Sequence, residues 1–541
     1  MPSDSMFWAD KIAEQVLERK TFHFLPDNAP EIKHPSVKSS SSLSGVLHIG
    51  RLSDIVRGEA AFRALREHEK SAKFIYVTED MDPLRSIPKG VPESFKDFIG
   101  FSVSDVPDPF GCHKSYAGHF KEIFLKTFGE FLEFPPEVFS MREEYRKGNF
   151  SELVAELVRH AGEGREIIDK FKDKKSASDW VPWKPICDKC GNMQTTVVLG
   201  VDGSKVRYAC RDYAFEKFIA KGCGHEGVSD LKNANGKLAW KSEWASQWKR
   251  WNVVCEGAGK EYNAPNSAFF VNGEICERIL HYPMPVPVFY EHLMIDGQKM
   301  SASLGNVVFP HQWLEVARPE TLKFLYLKRL EKSRSFSWSD VPNLELELDR
   351  AAESFYAEAS ENEKQDAQLR KLFSFSSVKG RKVVPLPADY SVVSYLVQVL
   401  ADDASVLEKL SETGHVPATV STEVRARLLE RIAMARKWVE LHVPEADKIG
   451  FAETVDSEVR KKIPDALLPV FSAFASEIVS GKGAEELQKS FFELVKAHNQ
   501  DPRKAFECAY LCLIGKPKGP KIGSLVVGLG RERCAKRFSE L

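Results

Sequence analysis

The chain has 541 residues, of which 43% are hydrophobic and 28% charged, as expected for a globular protein with three or four domains. Lysine and arginine together number 76, and aspartate and glutamate 77, so a nucleic acid partner would have to bind local basic patches. The sequence has no apolar signal core and no run of ~18 apolar residues that could span a membrane, which argues against a membrane protein and predicts a cytoplasmic one.

In chain order, the first predicted elements are a helix over 7–20 and a weak strand over 31–42, because serine forms strands poorly and Pro35 interrupts the run. Apolar residues that recur on one side predict a helix over 47–68, and the run KFIYVT at 73–78 is typical of a buried parallel strand. Acidic residues follow that strand. The order strand, helix, strand predicts a doubly wound α/β domain whose ligand site lies beyond the carboxyl ends of the strands.

The rest of the chain changes character several times. Residues 106–180 are helical and charged, residues 181–230 combine cysteines with short strands, and an apolar and aromatic pattern returns at 237–295. From about residue 345 onward almost every pattern is helical. A proline-containing segment at 378–391 separates one helical group from a final bundle.

Ten cysteines in a cytoplasmic chain do not form a disulfide framework, so clustered ones are candidates for metal ligands. Cys187 and Cys190 form a CxxC knuckle, and Cys210 and Cys223 can complete a tetrahedral structural zinc site; His225 is an alternative fourth ligand. A catalytic zinc is disfavoured because thiolates fill all four positions. Scattered buried thiols are the remaining alternative.

The stretch SGVLHIGR places small residues directly before a predicted helix. Ser44, Gly45 and Gly50 allow a nucleotide to approach the backbone, and the first turn of a helix favours phosphate. His48 can donate a hydrogen bond to a phosphate oxygen, and Arg51 adds positive charge on the same face. Alone, the stretch could be one of many capped junctions between a loop and a helix.

A second loop, GQKMSASLGN at 297–306, carries one lysine and two hydroxyls. Lys299, Met300, Ser301 and Ser303 can hold a transferring or leaving phosphate group, although a surface turn would have a similar composition. Together and in this order, the two loops resemble the two signature motifs of class I aminoacyl-tRNA synthetases.

The wider resemblance is to class I lysyl-tRNA synthetase and extends over nearly the whole chain. The stretches that carry it are WAD at 8–10, SGVLHIG at 44–50, YVTEDMDPLR at 76–85, the cysteine knuckles ending in CGHEG, GKLAWK at 236–241, PVP at 285–287 with YE at 290–291, the KMSAS loop followed by GNVV, and GKPKGPKIG at 515–523.

The resemblance implies ATP-dependent ligation of L-lysine to tRNA(Lys) through lysyl-adenylate, with AMP and pyrophosphate as products. The implied cofactors are ATP, Mg²⁺ and a structural Zn²⁺, and the implied state is a monomer that does not bind membranes. The implied fold is an α/β Rossmann-type catalytic domain with a zinc-binding insertion and an all-α C-terminal anticodon-binding domain. Its divisions would be the first half of the Rossmann domain at 1–105, a connecting insertion at 106–230 with a zinc ribbon at about 181–230, the second half at 231–295, the KMSAS loop and stem-contact segment at 296–345, and the anticodon-binding domain at 346–541.

The implied site residues fall into five groups. The catalytic group is His48, Arg51, Lys299, Ser301 and Ser303, and the ATP-binding group is Ser44, Gly45, His48, Gly50, Lys299 and Met300; the lysine-binding group is Glu79, Asp80, Asp82, Trp240, Glu261 and Tyr262; the metal ligands are the four cysteines, and the tRNA-binding group is Lys516, Lys518, Lys521 and Arg531. The tRNA-binding group also rests on local charge, because the C-terminal end is rich in lysine and arginine although the whole chain is nearly neutral. Independently of the resemblance, a substrate ammonium needs carboxylates or an aromatic wall. The alternatives are a solvated loop for the acids, core packing for the tryptophans and a solvated terminal helix for the basic group.

The chain departs from the family pattern at several places, including the serine-rich strand before the first loop and the segment that begins at Pro265. Arg51 stands where a polar uncharged residue or histidine is usual, Ala302 and Leu304 occupy the places of a second lysine, and Glu261-Tyr262 replaces Asp-His. Two other functions therefore stay open: a non-catalytic or altered relative that binds tRNA, and a class I synthetase for another amino acid.

Overall fold

The computed structural model describes residues 7–25, 30–43, 47–88, 90–170, 172–233, 235–300, 305–357, 363–451, 455, 457–519 and 521–541. The chain divides into two compact units. The first consists of Met1–Pro310, Leu322–Phe336 and Glu358–Lys382, and the second of His311–Thr321, Ser337–Ala357 and Val383–Leu541. In the described ranges, no helix has the length and apolar character needed to cross a membrane.

Helices and strands alternate in the first part of the chain. In order, they are α1 (Trp8–Glu18), β1 (Ser36–Ser42), α2 (Ile49–His68), β2 (Lys73–Glu79), α3 (Tyr116–Phe131), β3 (Glu137–Ser140), α4 (Met141–Arg146), α5 (Ser151–Arg159), α6 (Ala161–Asp169), β4 (Trp183–Pro185), β5 (Thr196–Asp202), β6 (Lys205–Cys210), β7 (Tyr213–Ala214), β8 (Ile219–Ala220), β9 (Glu226–Asp230), β10 (Gly236–Leu238), α7 (Trp240–Arg250), β11 (Val253–Gly259), α8 (Ala268–Arg278), β12 (Val286–Tyr290), β13 (Leu293–Ile295) and β14 (Gln298–Lys299).

The remaining elements are mostly helical. They are α9 (Pro310–Leu314), α10 (Pro319–Leu327), β15 (Arg334–Phe336), α11 (Val341–Tyr356), α12 (Glu363–Phe375), α13 (Tyr390–Val399), α14 (Asp403–Glu412), α15 (Thr422–His442), α16 (Ser457–Lys461), α17 (Leu468–Val479), α18 (Ala484–Ala497), α19 (Pro502–Ile514), α20 (Ile522–Leu529) and α21 (Arg531–Ser539). Short 3-10 helices span Glu93–Phe98, Lys260–Asn263, Trp338–Asp340, Glu445–Asp447 and Asp465–Leu467.

A five-stranded parallel sheet in the order β12-β11-β1-β2-β3 forms the centre of the first unit. β1 is the middle strand, with β2 on one side and β11 on the other, so the direction of winding reverses at β1. Such a reversal opens a crevice beyond the carboxyl ends of the strands. The segment 106–180, predicted to be helical, also contributes the edge strand β3.

The serine-rich strand β1 is stronger than the sequence predicts. Val37, Lys38 and Ser39 are fully buried, and the strand pairs with a neighbour on both sides. Helix α2 packs so closely against β1 that a Cβ at Gly58 would lie 2.4 Å from Ser39 Oγ. Serine fits here because it is small, and pairing on both sides overrides its weak strand propensity.

An insertion between β3 and β11 contains three small antiparallel groups. β4 pairs with β10, β5-β6-β9 form a sheet, and β7 pairs with β8 as a hairpin. Farther along the chain, β13 pairs with β14 and β15 in a separate small sheet.

The regular elements of the second unit are helices wherever the structure describes it. Its core includes α17, α18 and α21, which bring together Phe471, Phe474, Phe491 and Phe538. These aromatic residues are all buried, as the helical pattern of the C-terminal sequence predicts.

Candidate active site at the strand ends

A cavity of about 680 Å³ opens beyond the carboxyl ends of β1, β2, β11 and β12. The serines that end β1 line it, together with the first turn of α2 and the beginning of α7. This is the position at which a doubly wound sheet is expected to bind its ligand. The cavity brings together the following predicted residues: His48, Gly50, Arg51, Glu79, Asp82, Trp240, Glu261, Tyr262, Lys299 and Met300.

His48 is the residue that begins helix α2. Its Nδ1 accepts a hydrogen bond from the backbone N of Gly50 over 3.1 Å. Burial and the neighbouring Arg51 lower the pKa of His48 to about 4, so the ring is neutral at pH 7. With Nδ1 accepting, the ring proton is carried by Nε2, which can donate to a phosphate oxygen.

Two cationic side chains accompany His48 in the cavity wall. Arg51 Nη1 donates to the carbonyl oxygen of Ser42 over 3.0 Å, which fixes its guanidinium at the end of β1. Lys299 is exposed, and its Nζ lies 3.1 Å from Nε2 of His292. Burial lowers the pKa of His292, which lies between Lys299 and Glu261.

Four of the predicted ATP-binding and catalytic residues, Ser44, Gly45, Ser301 and Ser303, lie outside the described residues, as do Ala302 and Leu304 of the second loop.

A buried cluster of charges follows β2. Lys237 Nζ lies 2.5 Å from Glu243 Oε2 and 3.8 Å from Asp82 Oδ1, and these acids hold the pKa of Lys237 above its ordinary value against the opposing effect of burial. Glu79 accepts a 3.0 Å hydrogen bond from Gln247 Nε2. Burial, reinforced by the negative charge of Glu243, raises the pKa of Glu79 to about 8. Three carboxyl groups therefore share one lysine.

Asp80 is not brought into the cavity. Its carboxylate accepts hydrogen bonds from Ser140 Oγ over 2.5 Å and from the backbone N of Arg142 over 3.0 Å. Asp80 therefore joins the end of β2 to the start of α4, which is an internal contact of the fold. The other two acids of this run, Glu79 and Asp82, do line the cavity.

An aromatic wall forms another side of the cavity. Trp240 stacks on Trp244 with ring centroids 5.0 Å apart, and Tyr262 meets Trp244 edge to face at 5.3 Å. Trp244 and Trp248 are buried in the core, whereas Trp240 is half-buried; Trp240 and Trp244 both line the cavity. Glu261 lies at its edge, with Oε2 3.1 Å from Nε2 of His292.

Asp54 and Tyr290 also line the cavity, although they were not among the predicted residues. The Tyr290 hydroxyl donates to Asp54 Oδ1 over 2.7 Å, and burial raises the pKa of Asp54 to about 6. A sequence signal was available: Asp54 lies three and four positions after Arg51 and Gly50, which places it on the same face of α2.

Cys187, Cys190, Cys210 and Cys223 come together, with their four sulfur atoms within 4.8 Å of one another. The Sγ atoms of Cys187 and Cys223 are 3.6 Å apart, and those of Cys190 and Cys210 are 3.7 Å apart. A tetrahedron with zinc–sulfur bonds of about 2.3 Å has edges of about 3.8 Å, so this donor set fits zinc. His225 is not a member of the group.

A second group with metal-ligand chemistry was missed by the sequence analysis. Donor atoms of Asp108, Cys112, His113 and His119 lie within 4.8 Å of one another. Cys112 Sγ is 3.1 Å from Nδ1 of His113, whose Nε2 lies 2.5 Å from a carboxylate oxygen of Glu122. A carboxylate on the outer nitrogen is the usual way to orient a histidine ligand. The signal was the spacing of DPFGCHKSYAGH, which contains only one cysteine.

The predicted tRNA-binding residues divide into two kinds. Lys518 and Lys521 are exposed near the start of α20. Arg531, in contrast, donates to the carbonyl oxygens of Ile478 and Lys482, over 3.2 and 2.6 Å. Lys516 donates to the carbonyl oxygen of Ala446.

The parallel sheet, the helix N-terminus with His48 and the facing lysine match what the resemblance to class I aminoacyl-tRNA synthetases implies. Residues 6–379 match the family of tRNA synthetases class I (K), and the chain belongs to this family. A lysine–tRNA ligase of Methanosphaera stadtmanae is 28% identical over 99% of both chains. Those of Cenarchaeum symbiosum and Pyrococcus furiosus are 31% and 29% identical, covering 98% of this chain and 97% and 99% of theirs.

Proposed function

We propose that this protein is a lysine–tRNA ligase, which uses ATP to form lysyl-adenylate and transfers the lysyl group to tRNA(Lys), releasing AMP and pyrophosphate. The proposal rests on one observation: a single cavity contains both groups that can bind phosphate, at the start of α2, and carboxylates beside an aromatic wall. Membership of the class I (K) family supports the same reaction. Charging of tRNA for protein synthesis would take place in the cytoplasm.

The first step joins the lysine carboxylate to the α-phosphate of ATP, and pyrophosphate leaves. This step needs no nucleophile from the protein, because the substrate carboxylate attacks. The neutral His48 donates through Nε2, while Arg51 and Lys299 stabilise the charge that develops on the phosphate oxygens. Mg²⁺, when bound with ATP, would neutralise further phosphate charge. Arg51 takes part of the role that a second lysine has in the family's mobile loop.

Lysine carries two ammonium groups, and the cavity has two acidic places. Asp82 lies close enough to Arg51 to act on its pKa, so Asp82 and Glu79 are suited to the α-ammonium beside the reacting carboxylate. Asp54 is half-buried and accepts a hydrogen bond from Tyr290, so it suits the ammonium at the far end of the side chain. With a pKa of about 6, Asp54 is ionised at pH 7 and can pair with a cation.

Both metal-ligand groups enter the proposal as structural sites. The four cysteines would hold one zinc ion, which would fix the end of β6 at Cys210 to the knuckle of Cys187 and Cys190. Asp108, Cys112, His113 and His119 would hold a second ion at the start of α3. The insertion at 106–230 would thus be metal-bearing, and the helical segment 346–541 would be the part that binds the anticodon.

The direct test is to incubate the protein with ATP, magnesium, radiolabelled lysine and lysine-accepting tRNA, and to measure lysine on the tRNA. We expect charging, and expect Lys299→Ala to lower the rate far more than the affinity for tRNA. Retained tRNA binding without charging would identify a non-catalytic relative. Charging with arginine or glutamate in place of lysine would identify a synthetase for another amino acid.

A further inference from the structure

The wall of the amino-acid cavity contains an ion pair that the reaction does not use directly. Lys38 Nζ lies 2.6 Å from Glu256 Oε1, and the side chains are 0% and 2% exposed. Lys38 is on the middle strand β1 and Glu256 on its neighbour β11, where it lines the cavity. Lys38 also donates to Ser40 Oγ over 3.2 Å, and Ser40 lines the same cavity.

The second oxygen of Glu256 holds two tryptophans. Oε2 accepts hydrogen bonds from Nε1 of Trp244 over 2.9 Å and from Nε1 of Trp248 over 2.5 Å. The carboxylate is therefore satisfied on both sides, by an ammonium and by two indoles. Trp240 stacks on Trp244, and Glu256, Trp244 and Trp240 all line the cavity, so the ion pair fixes one carboxylate and two rings of the cavity wall.

We propose that Lys38 is a positioning and specificity residue of the amino-acid site, an inference that rests on the proposed function. Its ammonium neutralises Glu256, so that Asp54, which accepts from the Tyr290 hydroxyl, is the carboxylate left to pair with the substrate ammonium on this side of the cavity. By fixing Glu256, Lys38 also holds Trp244, and through it Trp240, in place. Lys38 does not itself line the cavity and acts through the residues it contacts there, chiefly Glu256.

Physical chemistry supports these separate roles of Glu256 and Asp54. A buried carboxylate without a counter-ion either protonates or attracts another cation, and here the cation at hand would be the substrate. Glu256 and Asp54 lie close enough for the charge of Glu256 to raise the pKa of Asp54. By pairing with Glu256, Lys38 removes one of two acids that would otherwise compete for one ammonium. The groups that face this pair of acids include Lys38, Arg57, Trp244, Trp248 and Tyr290.

The test compares Lys38→Met with a matched control, Lys323→Met. Lys323 is also fully buried and also lies 2.6 Å from a glutamate, Glu59, in the same unit, but neither residue lines the cavity. For Lys38→Met we expect the KM for lysine to rise about 10-fold, with kcat within about 3-fold and the KM for ATP unchanged. We expect Lys323→Met to lower the urea midpoint and to leave the KM for lysine unchanged.

A further variant tests the pairing itself. Glu256→Gln alone would leave the Lys38 ammonium buried without a counter-charge, which destabilises the fold, whereas Lys38→Met/Glu256→Gln removes both charges. We expect the double variant to recover most of the lysine KM and the near-ultraviolet circular dichroism of the stacked indoles, which Lys38→Met should alter. Equal lysine KM values in Lys38→Met and wild type would overturn the proposal, as would an equal rise in Lys323→Met or a double variant no better than the single one.

Calorimetric titration of wild type with lysine separates this inference from the proposed function. If wild type binds lysine but Lys38→Met behaves as wild type, only the role of Lys38 is wrong. If wild type binds no lysine, the proposed function is wrong. The circular dichroism of Lys38→Met then decides alone whether the ion pair holds the tryptophans.

Discussion

At the scale of single residues, Glu79 is subject to two opposed demands. Burial and the nearby Glu243 favour its neutral form and raise its pKa to about 8. A bound ammonium favours the ionised form, because an opposite charge a few ångströms away stabilises a carboxylate. Binding of lysine at this place should therefore release a proton from Glu79 at neutral pH.

The first prediction is that lysine binds more tightly as the pH rises from 6 to 8. Below a pKa of about 8, most Glu79 carboxyls are protonated and must lose a proton on binding, so the affinity should rise by up to ~10-fold per pH unit. Above pH 8 the carboxyl is already ionised and the gain should end. Calorimetry of wild type and of Glu79→Gln measures this. Equal slopes in the two proteins would show that Glu79 does not release the proton.

The sequence alone was enough to predict some residues of this site but not others. His48, Lys299 and Trp240 were predictable because each belongs to a short motif with its own chemistry. Glu79 and Asp80 are adjacent acids after the same strand, and successive residues of extended chain point in different directions. Only the packed structure shows that Glu79 enters the cavity while Asp80 binds Ser140.

At the scale of secondary-structure elements, the contact between β1 and α2 decides how the site is built. β1 ends in serines that line the cavity, and α2 begins there with His48. Helix and strand approach closely because Ser39 and Gly58 are both small. The sequence pattern predicted only a weak strand at β1, because strand propensity does not include the neighbouring strands that a central strand pairs with on both sides.

The second prediction concerns that contact. Gly58→Ala should destabilise the protein by about 1–3 kcal/mol, because its new Cβ would lie 2.4 Å from Ser39 Oγ, and overpacking outweighs the gain in helix propensity. Gly129→Ala, in the exposed part of α3 where a Cβ meets nothing within 4 Å, should stabilise by about 0.5–1 kcal/mol. Urea unfolding measures both, and Ser39→Ala should relieve the cost of Gly58→Ala. A destabilised Gly129→Ala would refute the steric explanation.

The third prediction concerns the insertion. Zinc content, measured by mass spectrometry of the intact protein, should fall by one ion per chain in Cys187→Ser, because a serine hydroxyl replaces a thiolate poorly. Cys112→Ser should remove a different ion, and the double variant should lose both. Cys255→Ser, at a buried cysteine outside both groups, is the control and should keep the full content. Loss of both ions in either single variant would contradict two separate sites.

At the scale of the whole molecule, the chain is nearly neutral, with 76 basic and 77 acidic side chains. Binding of a polyanion must then come from a few exposed cations placed together. The C-terminal sequence predicted such a patch from composition, but composition cannot tell a surface cation from one that holds the fold. Arg531 is of the second kind, since its guanidinium binds two carbonyl oxygens, whereas Lys518 and Lys521 are exposed.

The last prediction separates these two kinds of residue by their response to salt. Lys518→Ala/Lys521→Ala should weaken tRNA binding and reduce the slope of log Kd against log salt by about 1–2, because each phosphate contact contributes ~0.7–0.9 to that slope. The urea midpoint should not change, since both side chains are exposed. Arg531→Ala should lower the urea midpoint, because the carbonyl oxygens of Ile478 and Lys482 lose their hydrogen-bond donor. The same variant should leave the slope of log Kd against log salt unchanged in the folded protein. Filter binding from 50 to ~200 mM salt measures the slopes. An unchanged slope in the double lysine variant would show that residues other than Lys518 and Lys521 contact the tRNA in this unit.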